Sequence, residues 1–392
     1  TTKKGKKGAL RFTASSQMGI TSAFNGLKYL NGKQYQTVIN EYNFNSGNLQ
    51  NIQSWNRVNT DWFGLLNTTG VFNRVNFSAS GGVNNITYRA SLGYQKTSEA
   101  QINNSFRKLN ASFSARYNKN KFNASLVFSP SINLKKDPNR LYAFALPPTI
   151  PVFDDSGKYT TFDTYGNPVA VANQNRADSK TVAFLTSLNA NYSFNKHLKI
   201  SSLFGFDFSN KEEDTFFSGL NGSGDFGTDN NSQFFRDPTN SFGLVKGRRL
   251  LRNRDTRRWN WNASLSYNNT FGENHNYDGI VGIEVRKEKV NFGYASGRGF
   301  NSLSNPQPVE NAFLQDYEND FSESAGRSLF SQFNYNFNKE YRLHVTKNGC
   351  FYACRKMLKS EFKDHPNAWQ RHDDNCVWIL QENENFDNCL IL

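Results

Sequence analysis

Cysteine is missing from the first 349 residues of this 392-residue chain. All four, Cys350, Cys354, Cys376 and Cys389, fall after that point, and only His197 and His275 of the five histidines precede His344. Nowhere do about 18 apolar residues follow one another, so no transmembrane helix is encoded. No apolar segment follows the basic opening Thr1-Thr2-Lys3-Lys4-Gly5-Lys6-Lys7-Gly8, so no signal peptide is read, and the chain is expected to be a fragment or a processed product. Apolar residues are scarce at 37%, with a mean hydropathy of −0.70. Disorder would need few aromatics, yet 35 Phe, 17 Tyr and 6 Trp make up 15% of the chain. The charge balance, 46 basic against 33 acidic residues or +13, invites a nucleic-acid reading. Dense basic runs occur only at Lys3–Lys7 and Arg248–Arg258, so no nucleic-acid partner is expected; a face beside anionic lipid suits the balance equally.

What is present is a two-residue alternation through residues 8–345, the period of a strand with two unlike faces. Leu109, Ala111, Phe113, Ala115 and Tyr117 alternate with Asn110, Ser112, Ser114 and Arg116. Past Asn118-Lys119-Asn120-Lys121, Phe122, Ala124, Leu126 and Phe128 take up the pattern. The same hairpin unit recurs around Asn84-Asn85, Asn195-Lys196-His197, residues 268–276 and Asn338-Lys339-Glu340, after an opening strand Leu10-Phe12-Ala14. Eleven strands are predicted. Between hairpins the connections are long, roughly 18–70, 130–180, 210–256 and 288–327, with 95–105 shorter. Compact soluble domains rarely carry such loops, whereas outer-membrane barrels pair short turns on one side with long loops on the other. Aromatics crowd the short turns, where an apolar ring with a polar tip suits a membrane interface. Parity then predicts Phe113, Leu126, Phe204 and Leu265 toward lipid and Asn110, Arg116 and Asn262 toward the lumen. The rival is a soluble all-β carbohydrate-binding or adhesive surface protein, a large sandwich that gives the long loops and aromatic ends no role.

At these residues the sequence resembles the SusC/RagA-type TonB-dependent outer-membrane transporters. Thr1-Thr2-Lys3-Lys4-Gly5 is similar to the end of that family's plug. Thr60-Asp61-Trp62, Asn76-Phe77-Ser78-Ala79-Ser80-Gly81-Gly82 and Tyr88-Arg89-Ala90-Ser91-Leu92-Gly93-Tyr94 resemble its first hairpin, and Phe106-Arg107-Lys108-Leu109-Asn110 its next strand. Pro147-Pro148-Thr149-Ile150-Pro151-Val152-Phe153-Asp154 with Asn167-Pro168-Val169-Ala170 resembles its first long loop, and Ser296-Gly297-Arg298-Gly299-Phe300 a later one. The resemblance implies an all-β antiparallel transmembrane barrel of about 22 strands, of which this chain holds about half. Residues 1–8 would end the plug and 9–345 form a partial barrel. It implies import of oligosaccharides or peptides with a SusD-like surface lipoprotein as lid, TonB-complex energy through an N-terminal TonB box outside this chain, and a place in the cell outer membrane. The fragment alone is not expected to transport. After Val345 the pattern breaks into Thr346-Lys347-Asn348-Gly349-Cys350, so residues 346–392 are read as an unrelated Cys/His-containing tail, a frameshift in preference to a fusion, that does not continue the sheet.

No catalytic constellation is visible, and an enzyme, a cofactor and a metal site are not expected. Cys350, Cys354, His365, His372 and Cys376 fit no tight zinc spacing. Gly222-Ser223-Gly224-Asp225-Phe226-Gly227 matches a dinucleotide string but lacks the strand and helix it needs. Asp154-Asp155-Ser156-Gly157 reads as a turn in preference to a calcium loop. Candidate substrate contacts are loop aromatics, whose faces stack on sugars or peptide side chains: Trp55, Trp62, Tyr165, Phe216, Phe234 and Tyr294, with Phe217, Phe235, Phe313 and Tyr317 behind them.

Overall fold

The computed structural model describes residues 5–24, 28–137, 146–160, 167–218, 247–272, 274–300, 307–337, 341–358 and 381–382. Alternating residues at the predicted positions form long strands: β1 Gly8–Ser22, β2 Thr69–Val83, β3 Ile86–Ser98, β4 Ser105–Lys119, β5 Phe122–Lys136, β6 Arg176–Ser193, β7 Leu198–Phe217, β8 Arg248–Phe271, β9 His275–Arg298, β10 Leu314–Phe337 and β11 Tyr341–Leu358, with a two-residue β12 Gln381–Glu382. They make one antiparallel sheet whose spatial order is the chain order. Strands β2 to β10 each pair with the one before and the one after, so both their backbone edges are satisfied. Among the described residues there is one sheet, not the two-sheet sandwich of the rival reading.

The register lines up the two faces across strands. One row runs Ala115–Leu126–Leu188–Phe204–Trp261–Val285, and the adjacent residues give Arg116–Ser125–Asn189–Leu203–Asn262–Glu284 on the other side. Phe113, Leu126, Phe204 and Leu265 share the first face, and Asn110, Arg116 and Asn262 share the second. The apolar face is not a core: Phe113 is 42% exposed, Phe204 37% and Leu265 39%. From Trp259 to Tyr267 it occupies about 27 Å of strand, or roughly 19–22 Å of height at the usual barrel tilt. Below it sits a girdle of aromatics beside the short turns. Tyr117 lies 6.0 Å from Phe122, Tyr192 5.1 Å from Phe194 and Phe271 5.2 Å from Tyr277, centroid to centroid.

The described turns are as short as predicted or, between β8 and β9, shorter. Asn84 and Asn120 hold φ of 52° and 50°, the left-handed region Asn tolerates better than other side-chain-bearing residues. In the turn after β6, Asn195 Oδ1 accepts from the His197 and Leu198 backbone N–H groups, both at 2.8 Å. His197 and His275 are turn-side residues as expected, bonded through Nδ1 to the Asn268 carbonyl and the Tyr335 hydroxyl.

Three expectations are corrected. First, the long connections are shorter, because β6 to β10 run well past the alternating segments. β7 continues from Phe208 to Phe217, and β8 begins at Arg248, eleven residues before Trp259. Alternation is legible only where one face meets an apolar medium; above the band both faces are polar, and the backbone ladder continues unannounced. Second, the first connection contains a helix, α1 Gly32–Asn45, started by an Asn31–Gln34 capping box. Third, the sheet does not stop at Val345. β11 pairs with β10 from Phe337↔Tyr341 through Asp320↔Leu358. β10 offers a backbone edge along that length, and a ladder needs N–H and C=O groups, not alternating side chains. Pro130 lies inside β5 and keeps its place beside Phe184 of β6. The β4 register skips the two pairs beside it, as a residue without an N–H requires.

Spin labels at Phe113, Leu126, Phe204 and Leu265 of the complete barrel should be accessible from lipid, and labels at Asn110, Arg116 and Asn262 from water. Leu126→Arg should lower stability in vesicles by about 2–4 kcal/mol and Ser125→Arg by less than about 0.5 kcal/mol, read by denaturant titration. Equal accessibility of both sets would contradict the facing.

Candidate functional site: the polar face and its loop cap

The polar face is built from short polar side chains with a few fixed charges. Asn76, Gly93 and Asn110 form one row, and a methyl on Gly93 would stand 2.8 Å from Asn76 Oδ1 and 2.9 Å from Asn110 Oδ1. Glycine here lets two amides lie close across the strand. Arg89 donates to Ser78 Oγ at 2.9 Å. Arg258 pairs with Glu288 at 2.8 Å and reaches Asp207 at 4.0 Å. Arg252 lies 5.7 Å over the ring of Tyr294. The result is a wall of amides and hydroxyls with arginines held by Ser78, Glu288 and the Tyr294 ring, able to hydrogen-bond polar solutes in passage.

The long-loop end of the sheet carries a cap built from segments far apart in sequence. α2 Trp62–Leu66 is capped by Asp61, whose Oδ1 accepts from Gly64 N at 2.9 Å. α3 Pro168–Gln174 begins at Asn167, fully buried, whose Oδ1 accepts from Val169 N and Ala170 N; proline at N1 loses no needed donor. Leu66 and Ala172 pack together with Ile102 and Val169 around them. The Pro147–Ile150 stretch is stitched to Asn56–Trp62: Thr60 N donates to the Pro148 carbonyl at 2.8 Å, Thr60 Oγ1 to Ile150 O at 2.6 Å, and Asn56 Nδ2 to Thr149 O at 2.8 Å. Two motifs that sequence reading treated separately therefore form one unit.

The predicted contact residues separate by burial. Trp62 is 4% exposed and its indole N–H donates to the Pro147 carbonyl at 3.1 Å, so its ring anchors the cap. Phe216 is 1% exposed, in register between Arg176 and Arg249. Trp55 is 37% exposed, donates to Val58 O at 2.9 Å, and edges a cleft of about 430 Å³ between α1 and residues 52–55 that also presents Lys33, Gln36 and Asn40. Tyr294 lies on the polar face beneath Arg252. Phe313 and Tyr317 are exposed. Tyr165, Phe234, Phe235 and the Gly222–Gly227 string lie outside the described residues. Sequence reading missed the Asn31, Asp61 and Asn167 caps; an Asx residue just before each helix was the available signal.

Asp154 makes the turn that was expected. Its Oδ1 accepts from Ser156 N at 2.9 Å, Ser156 Oγ at 2.7 Å and Lys158 N at 2.9 Å, while Gly157 takes φ of 79°. The Ser156 hydroxyl, then the Lys158 N–H, hold this carboxyl below its ordinary range. Among the described residues no group of three metal-ligating side chains converges. Cys350 and Cys354 lie in β11, about 13 Å apart along an extended strand. Cys376, Cys389, His365 and His372 lie outside the described residues.

No family model matches the chain. The TonB-dependent receptor P26 of Formosa agariphila is 27% identical over 311 residues, which is 73% of this chain and 28% of that protein. The RagAB peptide transporter superposes over 90% of this chain and 43% of its own, with a TM-score of 0.66 at 18% identity; the open-open state of the RagAB peptide importer gives 0.64. The chain is similar in sequence to a TonB-dependent receptor and shares the fold of part of the RagAB transporter's barrel. It spans less than half the length of these relatives. In a barrel of this fold the apolar band of the sheet corresponds to the lipid-facing belt and the polar face to the lumenal wall.

Trp62→Ala should destabilise the cap by about 3–5 kcal/mol, the range for removing a buried aromatic, with faster amide exchange at Thr60 and Ile150 and unchanged strand content by circular dichroism. The depressed Asp154 pKa implies that the 154–158 turn is fully held above the ordinary carboxyl pKa and lost as pH falls through the lowered value. Amide exchange at Ser156 and Lys158, corrected for intrinsic pH dependence, should report that loss, and Asp154→Ala should abolish the protection at neutral pH.

Proposed function

We propose that this chain forms part of the wall and extracellular cap of an outer-membrane importer for oligosaccharides or peptides. Import is energised by a TonB complex acting through a TonB box outside this sequence, with a SusD-like surface lipoprotein as lid. The observation that carries the reading is the division of one continuous sheet into an exposed apolar belt and a polar wall under a hydrogen-bonded loop cap. The likeness to RagAB, a peptide importer, supports a solute of peptide or glycan size. Trp55 supplies a half-exposed aromatic face beside amide groups, and Tyr294 a ring on the lumenal wall. These are the proposed contacts, with Tyr165 and Phe234 as further candidates. Residues 9–345 are the barrel portion by origin, residues 1–8 the end of the plug, and 346–392 a segment of separate origin whose first part lies in β11.

Among the described residues the sheet leaves a whole backbone edge on β1. Each unpaired group costs several kcal/mol in hydrocarbon, so this polypeptide does not transport by itself. In the complete receptor, Trp55→Ala and Tyr294→Ala should each weaken oligosaccharide or peptide uptake by roughly tenfold, the scale of one lost stacking contact in a shielded site, while outer-membrane assembly is retained. Full uptake by the double variant would remove these contacts. Uptake restored by the present chain alone, secreted with an added signal sequence, would overturn the incompetence of the open sheet.

A further inference from the structure

Above the lipid belt, on the same outward face, the sheet carries a trough of about 850 Å³ running across seven strands, β4 to β10. It follows two adjacent rows of the ladder. One leads from Ser105 through Lys136 and Asp214 to Tyr317, the other from Arg107 through Lys180 and Glu212 to Asn319. Its lower end meets the belt abruptly. The row Tyr94–Leu109–Ile132–Val182 is apolar throughout, and the next outward row, Lys96–Arg107–Leu134–Lys180, holds three cations. Lys136 stands one row higher.

The charges at this end are not balanced from within. Asp178 and Asp214 are held by Arg176, with Arg249 also on Asp214 at 3.0 Å, and Glu213 by Lys211 at 2.7 Å. Lys180 has only a loose 3.6 Å pair with Glu212, both half-exposed. Lys96, Arg107 and Lys136 are exposed and make no ion pair within 4 Å among the described residues, although Asp178, already paired with Arg176, stands opposite Lys136 in the β5–β6 ladder. Lys96 and Arg107 are also directly opposite each other in the β3–β4 ladder, a like-charge placement that is unfavourable unless an anion lies between.

We propose that the membrane-proximal end of this trough binds the phosphorylated headgroup of an outer-leaflet glycolipid. Lys96, Arg107, Lys136 and Lys180 hold its phosphate, and its acyl chains lie along Leu109, Ile132 and Val182. Charge-assisted contacts to phosphate are the strong ones, and the guanidinium of Arg107 can grip it with two donors. Continuity of the cationic row with the lipid belt favours a lipid over a free anion, because only a lipid occupies both rows at once.

The test uses the complete receptor in non-ionic detergent, titrated with diphosphorylated lipid A, dephosphorylated lipid A and inorganic phosphate, with bound lipid counted by native mass spectrometry. Retention of the diphosphorylated lipid should exceed that of the dephosphorylated one by at least roughly tenfold. A variant carrying Lys96→Gln, Arg107→Gln and Lys136→Gln should lose the same factor. Lys287→Gln, at an outward cation already paired with Glu323 at 2.5 Å, should leave retention unchanged. Heat-modifiable gel mobility checks that each variant is folded; if the triple variant is not, Arg107→Gln and Lys136→Gln are read singly. Equal retention of the two lipids, or by folded variants and wild type, would overturn the proposal. Competition by inorganic phosphate at equimolar concentration would overturn its assignment to a lipid.

Discussion

The structure depends on satisfying every backbone N–H and C=O of the spanning segments inside the sheet. Hydrocarbon offers these groups no partner, so each strand must find a neighbour on both sides. The chain-order ladder meets this demand for β2 to β10 with the simplest topology available, hairpin after hairpin. Everything else is arranged around that ladder. The two-residue side-chain period sorts lipid from lumen, the two-residue turns at Asn84 and Asn120 fix the register, and the single proline inside a strand costs ladder pairs on one side only.

Once the ladder is fixed, the register decides chemistry that no strand shows by itself. Small polar residues on successive strands become a continuous wall, and glycine at position 93 lets Asn76 and Asn110 approach across it. Charges scattered through the sequence become cross-strand partners, as with Arg258 and Glu288. Above the belt, Asp214 gathers Arg176 and Arg249 from the flanking strands and ties the extended ladder together where lipid no longer restrains it. Its carboxylate is partly buried beside both guanidinium groups, so removing it would leave two cations facing each other.

The cap shows a second logic. Its helices α2 and α3 are short, and an isolated five- or seven-residue helix is unstable in water. They persist because Asx caps start them and because backbone carbonyls of the Pro147–Ile150 stretch accept from Asn56, Thr60 and Trp62. Sequence reading valued Trp62 as an exposed aromatic for solute. Tryptophan offers one N–H and a large apolar ring, and burial with that N–H satisfied uses both.

The sequence by itself determined the strands that meet lipid, their two faces, the aromatic ends and the short turns, because a medium that differs on the two sides of a strand writes itself into alternate residues. It also carried the resemblance through Thr60-Asp61-Trp62 and the Pro147 loop. Three things were decided only by tertiary structure. The strands extend past the belt, where both sides are polar and alternation carries no signal. β11 continues beyond Val345 because β10 presents an edge, a property of the partner and not of the strand. And Trp62 turned inward while Trp55 stayed half-exposed, because burial of a loop aromatic depends on which distant segment, here Pro147, arrives to cover it.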